Sequence, residues 1–235
     1  MQRSIESEKM IAIGHLAGGV AHEINNPLGG ILAFAQLMKR DPGRTSADLE
    51  ALDLIEESAL RCKRIVESLL KFSRRPKLED RRAFSLNQCV EDAAMLFKAQ
   101  LKKYPRAKLN LTVGQAQEIY GDSQQLGQVV LNLLQNALQA LPNGEGSITL
   151  STTSEPGVAA VVVQDTGSGI SPEHLPRIFE PHFTTKPPGE GTGLGLAIAY
   201  RIVEDHGGHF SVESQLQQGS RFTVRIPTLP RGEQP

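Results

Sequence analysis

This chain of 235 residues has only two cysteines, no excess of either charge and no long apolar run. Cys62 and Cys89 fall in different predicted helices without metal-type spacing, so they read as free thiols of a reducing compartment. A net charge of −1 leaves no basic footprint, which excludes recognition of nucleic acid or of an anionic membrane surface. No apolar stretch approaches the roughly 18 residues of a membrane span, and no secretory signal is visible. The expectation is a cytoplasmic fragment with no membrane contact of its own. With 39% hydrophobic residues, the chain can build cores for two small domains.

The first 75 residues read as a helical hairpin. Ile13, Ala17, Val20, Ile24, Leu28, Ile31, Ala35 and Met38 recur at threes and fours, which marks one buried face of a helix over about 4–40. Asp41-Pro42-Gly43-Arg44-Thr45 is a turn. Ser46 is the expected cap of a second helix reaching about Arg74. Its apolar positions Leu52, Ile55, Ala59, Cys62, Val66 and Leu69 form a heptad seam. Two helices cannot bury all these faces, so the hairpin is expected to dimerise into a four-helix bundle.

His22-Glu23-Ile24-Asn25-Asn26-Pro27-Leu28 lies inside the first helical pattern. His22 falls off the apolar stripe, toward solvent, with a carboxylate beside it and Asn26 one turn further on. Imidazole has an unperturbed pKa of about 6.5 and is a neutral nucleophile near pH 7. Alone, such a histidine reads as an ordinary surface residue. Gly14, Gly18, Gly19, Gly29, Gly30 and Pro27 weaken this helix, since each interior Gly costs about 1 kcal/mol relative to Ala. Local bending near His22 is therefore expected.

From residue 85 the pattern becomes mixed helix and strand. Helices are predicted over 85–100, 122–141 and 192–205, the first two opened by Ser85 and Asp122. Strands are predicted over 108–113, 118–120, 147–153, 158–164, 209–214 and 221–226. The later strands read as adjacent hairpins in a mixed sheet covered by helices on one face, an α+β sandwich. The expected boundaries are a hairpin over 1–75, a linker over 76–84, a second domain over 85–228 and a tail over 229–235.

Three elements of this second region suit a nucleotide. Asn132 and Asn136 stand at i and i+4 on one helical face, and their neutral carbonyl oxygens suit Mg²⁺. Asp165-Thr166-Gly167-Ser168-Gly169-Ile170 follows the apolar strand Val161-Val162-Val163. A carboxylate at a strand end can accept from the exocyclic amine of adenine, and Gly167 and Gly169 let the backbone approach closely. Gly191-Thr192-Gly193-Leu194-Gly195-Leu196 opens a helix, where backbone N–H groups attract anions. It matches neither the P-loop nor the dinucleotide fingerprint. Between them, residues 179–190 read as a lid. There Lys186 can reach a phosphate or stand as a solvated loop lysine.

In this order the segments resemble the catalytic core of a sensor histidine kinase, from about Lys9 to Pro227. The hairpin looks like a dimerisation and histidine-phosphotransfer domain, and the sandwich looks like the Bergerat-type ATP-binding domain shared with gyrase, Hsp90 and MutL. The resemblance implies roles residue by residue. His22 would accept the phosphoryl group, Glu23 would orient the imidazole or take its proton, and Asn26 would position water for dephosphorylation. Asn136 would ligate Mg²⁺ with Asn132 assisting, and Asp165 would read adenine in a pocket shaped by Gly167 and Gly169. Gly193 and Gly195 would line the triphosphate. The family commonly carries Phe where this chain has His182. A response regulator receiver domain would take the phosphoryl group onward, and the parent protein could be anchored in a membrane.

Three other readings stay open on residues alone. An ATPase of the same fold could hydrolyse ATP without phosphorylating itself. A dimeric scaffold could keep a vestigial pocket. Asp165-Thr166-Gly167-Ser168 also resembles an aspartic protease, though that fold is nearly all-β and needs two aspartates.

Overall fold

The computed structural model describes residues 24–41, 43–73, 80–115, 118–187 and 191–229. Two compact units are present, Met1–Arg75 with Thr184–Leu194, and Pro76–Phe183 with Gly195–Pro235. His22 and Glu23, the start of the first helix and nearly all of the expected tail lie outside the described residues.

In the first unit, helix α1 is described over 24–39 and helix α2 spans Ser46–Ser73. α1 continues without interruption through Pro27, Gly29 and Gly30. The second helix is capped by Thr45, not by Ser46. Thr45 Oγ1 accepts the N–H of Asp48 at 3.2 Å, and Asp48 Oδ2 accepts the N–H of Thr45 at 3.0 Å. That reciprocal pair is a capping box with Asp in the third helical position. Lys39 then ties α1 to Asp53 and Glu56 of α2, and Gln36 donates to Glu56.

The apolar stripes divide cleanly. Leu28 and Ala35 on α1, and Leu52, Ala59 and Val66 on α2, are buried at seven-residue spacing. The alternate heptad positions, Ile24, Ile31 and Met38 with Ile55, stay 40–46% exposed. One half of each seam thus closes the hairpin, and the other half faces outward.

The second unit begins with β1 (Arg82–Ser85) and α3 (Leu86–Leu101). Ser85 caps α3 as expected, its side chain accepting the Gln88 N–H. β2 (Ala107–Thr112), β3 (Glu118–Gly121) and α4 (Ser123–Ala140) follow. Next come β4 (Gly146–Glu155), β5 (Val158–Asp165), α5 (Gly195–Asp205), β6 (His209–Gln215) and β7 (Gly219–Pro227). The main sheet has the order β2-β4-β5-β7-β6, with β2 parallel to β4 and the other neighbours antiparallel. It is mixed, as expected, and α4 packs between α3 and α5 over it.

In this unit the first strand and the start of α5 differ from the sequence reading. Arg82–Ser85, read as part of a linker to residue 84, is a strand. It pairs antiparallel with β3 in a separate two-stranded sheet. α5 opens at Gly195 and not at Thr192, because Gly193 turns into the left-handed region at φ +64. Thr192 Oγ1 accepts the Leu194 N–H in that turn.

Strand periodicity then sets the inner face. Ala159, Val161 and Val163 of β5 and Phe222, Val224 and Ile226 of β7 are buried. Opposite them lie Val129, Leu133, Leu134 and Ala137 of α4 and Phe97 of α3, also buried. The same alternation puts Asp165, two residues after Val163, on the inner face at the end of its strand.

Candidate nucleotide-binding site

Asp165 is 2% exposed. Its Oδ1 accepts the Gly167 N–H at 2.8 Å and the Ser220 N–H at 3.3 Å. Burial pushes its pKa above the ordinary carboxylate value, and those two N–H donors pull against it. With Oδ1 held by two donors, Oδ2 is the oxygen left for a ligand that donates a hydrogen bond.

The loop after Asp165 is seated from both sides. Thr166 Oγ1 accepts the Ser147 N–H at 3.0 Å, and the Ser168 N–H bonds the Ala140 carbonyl at 2.9 Å. A Cβ on Gly167 would meet that same carbonyl at 2.6 Å. Gly169, at φ +69, lies where a Cβ would come within 2.0 Å of the Gln215 carbonyl. Both glycines are therefore required by packing between α4 and the β6–β7 turn, which is a stronger reason than close approach to a base.

α4 carries the second element. Asn132, Asn136 and Ala140 stand at i, i+4 and i+8, on one face of the helix. Ala140 touches the Asp165 loop, and Asn132 Nδ2 donates to the Gly195 carbonyl at the start of α5, 3.1 Å away. Asn136 lies between these two contacts, half-buried. Among the described residues its carboxamide has no hydrogen-bond partner. Its Oδ1 is a neutral oxygen suited to a hard divalent cation. No cluster of three His, Cys, Asp or Glu that could cage a metal occurs among the described residues. An ion held through Asn136 would take few protein ligands and bring phosphate oxygens and waters with it.

The structure thus brings Asn132, Asn136, Asp165, Gly167, Gly169 and Gly195 together in the second unit. Lys186 and Gly193 lie on Thr184–Leu194, within the first unit. There the Lys186 N–H bonds Thr184 Oγ1, and a Cβ on Gly191 would crowd that same oxygen at 2.5 Å. Asn26 is exposed on α1.

His182 also has a physical explanation. Its φ of +65 is a conformation that His tolerates better than most side chains, and the side chain is exposed. Its neighbours make the ring contacts instead. Phe183 sits under the Arg177 guanidinium at 4.6 Å and edge-on to His174. Phe179 packs tilted against Tyr200 and edge-on to Phe210.

Sequence reasoning missed Ser214 and Ser220, which hold the site from β6 and β7. Their only signal is that strand periodicity puts polar residues on an otherwise apolar inner face. The aspartic protease resemblance fails on architecture, since the Asp-Thr-Gly segment ends a strand of a mixed sheet backed by three helices. Both cysteines are free, and burial raises the Cys89 thiol to about 12. No helix among the described residues is long and apolar enough to cross a membrane.

Two family profiles match in sequence order. The first is the His Kinase A (phospho-acceptor) domain, over residues 12–77. The second is the histidine kinase-, DNA gyrase B- and HSP90-like ATPase, over residues 121–230. The sensor histidine kinase ZraS of Escherichia coli strain K12 is 40% identical over 223 residues, 94% of this chain and 46% of that protein. The chain spans about half the length of the curated relatives it matches. Full-length ShkA in complex with AMPPNP is similar at a TM-score of 0.75 and 26% identity, over 91% of this chain and 46% of that one. The catalytic domain of the histidine kinase ThkA matches at 32% identity and a TM-score of 0.56, over 63% of this chain and 95% of that one. ThkA in complex with the response regulator protein TrrA matches at 28% identity and a TM-score of 0.64, over 97% and 65% of the two chains.

Proposed function

This chain belongs to the sensor histidine kinases, and on that premise we propose that it binds ATP in its second unit and transfers the γ-phosphoryl group to His22. The observation that carries this reading is the pairing, on one chain, of a phospho-acceptor segment containing His22 with a buried aspartate whose Oδ2 is left for an amine. In this reading residues 1–75 dimerise and carry the acceptor, 76–84 link, and 85–228 bind nucleotide.

Asp165 Oδ2 accepts from the adenine amine, a contact that a guanine carbonyl at the same place would repel. Asn136, with Asn132 beside it, holds Mg²⁺, and the ion supplies charge compensation for the phosphates. Gly195 attends the phosphate chain through its backbone N–H. A lone pair on one ring nitrogen of His22 attacks the γ-phosphorus. The N–P bond forms as the bond to the bridging oxygen breaks, and ADP leaves. The proton on the other ring nitrogen passes to Glu23. Such a transfer depends on positioning and electrostatics more than on covalent help from the protein.

The phosphoryl group then moves to an aspartate on a response regulator receiver domain, and Asn26 positions water when that aspartate is dephosphorylated. The complex of the related ThkA with a response regulator supports this partner.

The outward half-seams support a homodimer. An apolar groove of about 420 Å³ is lined by Ile31, Phe34, Ala35, Met38, Leu52 and Ile55 among others. A second hairpin closing on it would complete both heptads as a four-helix bundle.

The test is His22→Ala. It should bind ATP as tightly as the wild type yet take up no label from γ-labelled ATP, whereas labelling that persists would move the acceptor elsewhere.

A further inference from the structure

β5, β7 and β6 are neighbours, and their inner faces run in rows across the sheet. One row is apolar, Val163 beside Phe222 beside Val212. The next row outward, at the end of the sheet, is polar: Asp165, Ser220 and Ser214. Ser214 and Ser220 are direct cross-strand partners.

Ser214 Oγ makes three hydrogen bonds in this row. It accepts the Ile170 N–H at 2.8 Å, donates to the Gly219 carbonyl at 2.9 Å and lies 3.0 Å from Ser220 Oγ. A hydroxyl has one proton and two lone pairs. The proton is committed to Gly219, so the Ser220 hydroxyl donates to Ser214, and the capacity of Ser214 is full. Its bonds therefore fix the far end of the Asp165 loop at Ile170 and the start of β7 at Gly219 and Ser220. Ser220 is the residue whose N–H holds Asp165 Oδ1. The surroundings reinforce the arrangement: a Cβ on Gly219 would meet the Asp165 carbonyl at 2.0 Å, and the Gln217 N–H bonds the Ser168 carbonyl at 2.8 Å.

We propose that Ser214 is a positioning residue for base selection, aiming the Asp165 carboxylate at the purine by fixing both backbone segments that flank it. This rests on the ATP reading above. The Ser214 hydroxyl has no hydrogen-bonding capacity left for a ligand, so its loss acts through Asp165 and falls on the base, leaving phosphate binding in place.

Equilibrium binding of ADP and of GDP to the whole chain separates this from a merely structural role. The variants are Ser214→Ala, Ser214→Cys, Ser214→Thr and the control Ser211→Ala. Ser211 is on the same strand, and its hydroxyl accepts from Arg225 at 3.1 Å. The wild type should prefer ADP. Ser214→Ala should weaken ADP about tenfold, or about 1.4 kcal/mol, while GDP binding is unchanged. Ser214→Thr, which keeps the hydroxyl, should restore the preference to within about twofold, and Ser211→Ala should leave it intact. If Ser214→Ala does not fold, Ser214→Cys, which keeps the volume but bonds weakly, carries the same comparison. ADP and GDP weakening together, ADP binding unchanged in Ser214→Ala, or an equal effect from Ser211→Ala would each overturn the proposal. A wild type with no preference for ADP would instead overturn the ATP reading on which it rests.

Discussion

The imidazole of His206 joins two helices: its Nε2 accepts the backbone N–H of Asp122 at 2.9 Å, and its Nδ1 bonds the Ile202 carbonyl at 2.7 Å. Since Nε2 accepts, Nδ1 carries the proton, and the ring is neutral. Asp122 is the N-cap of α4, accepting the N–H groups of Gln124 and Gln125, and Ile202 lies in the last turns of α5. Gly121 leaves the space, since a Cβ there would come within 2.2 Å of the ring.

Acid should loosen this joint. Burial holds the His206 pKa below its ordinary 6.5 and Arg81 lowers it further, against the Ile202 carbonyl bond and the Asp122 and Asp205 charges. With the folded value below the unfolded one, the stabilising effect is complete above about pH 6.5 and is lost as the pH falls from there through the folded pKa. His206→Ala should cost about 2–4 kcal/mol and flatten this pH dependence. Urea unfolding at pH 8 and pH 5.5 for both proteins measures each effect.

Asp165→Asn should keep the Oδ1 contacts and therefore the fold, but place an amide where the adenine amine needs an acceptor. ATP affinity should fall by at least about tenfold, the scale of one hydrogen bond to a charged group. In the wild type, nucleotide affinity should fall with acidification before an ordinary carboxylate would titrate, because burial raises the Asp165 pKa. Fold stability responds to this group in the opposite sense. Its contribution is full below the unfolded pKa and is lost as the pH rises through the folded one. Calorimetric titration of ATP against pH should show the acid loss in the wild type and not in the variant.

Asn136→Ala should remove an oxygen ligand without disturbing a hydrogen bond. The gain in ATP affinity on adding Mg²⁺ should shrink, while affinity in the presence of a chelator stays the same. An equal loss with and without Mg²⁺ would assign Asn136 a packing role instead.

Ile31→Glu tests the outward half-seam. Ile31 is 46% exposed in the single chain and lines the apolar groove, so a carboxylate there costs a lone hairpin little but would be buried without a partner in a dimer. Sedimentation equilibrium should find the wild type dimeric and the variant shifted toward monomer, with at least about tenfold weaker association.

Much of this arrangement was legible in the residues. Ser85 and Asp122 announced their helices because short polar side chains satisfy the first N–H groups. The apolar run ending at Asp165 located the site because strand alternation carries the carboxylate inward. Contacts distant in sequence were not legible. β1 was read as linker because a four-residue strand with two exposed positions has almost no pattern, and its partner β3 lies more than thirty residues on. Ser46 carries the residue type of a cap, but Thr45 is the cap of α2, because the Asp48 side chain and backbone close on it. Ser214 and Ser220 became recognisable only once register set them beside Asp165, and Gly167 and Gly169 gained their packing reason from Ala140 and Gln215. The heptads showed that seams exist, whereas only burial separated the positions closing the hairpin from those facing out.

Phosphoryl transfer to His22 is read most directly from the chemical stability of the label formed when the chain meets Mg²⁺ and γ-labelled ATP. Transfer to the imidazole should leave a protein-bound phosphate that is lost in acid, survives alkali and maps to His22. Label that survives acid, or that maps to another residue, would contradict it.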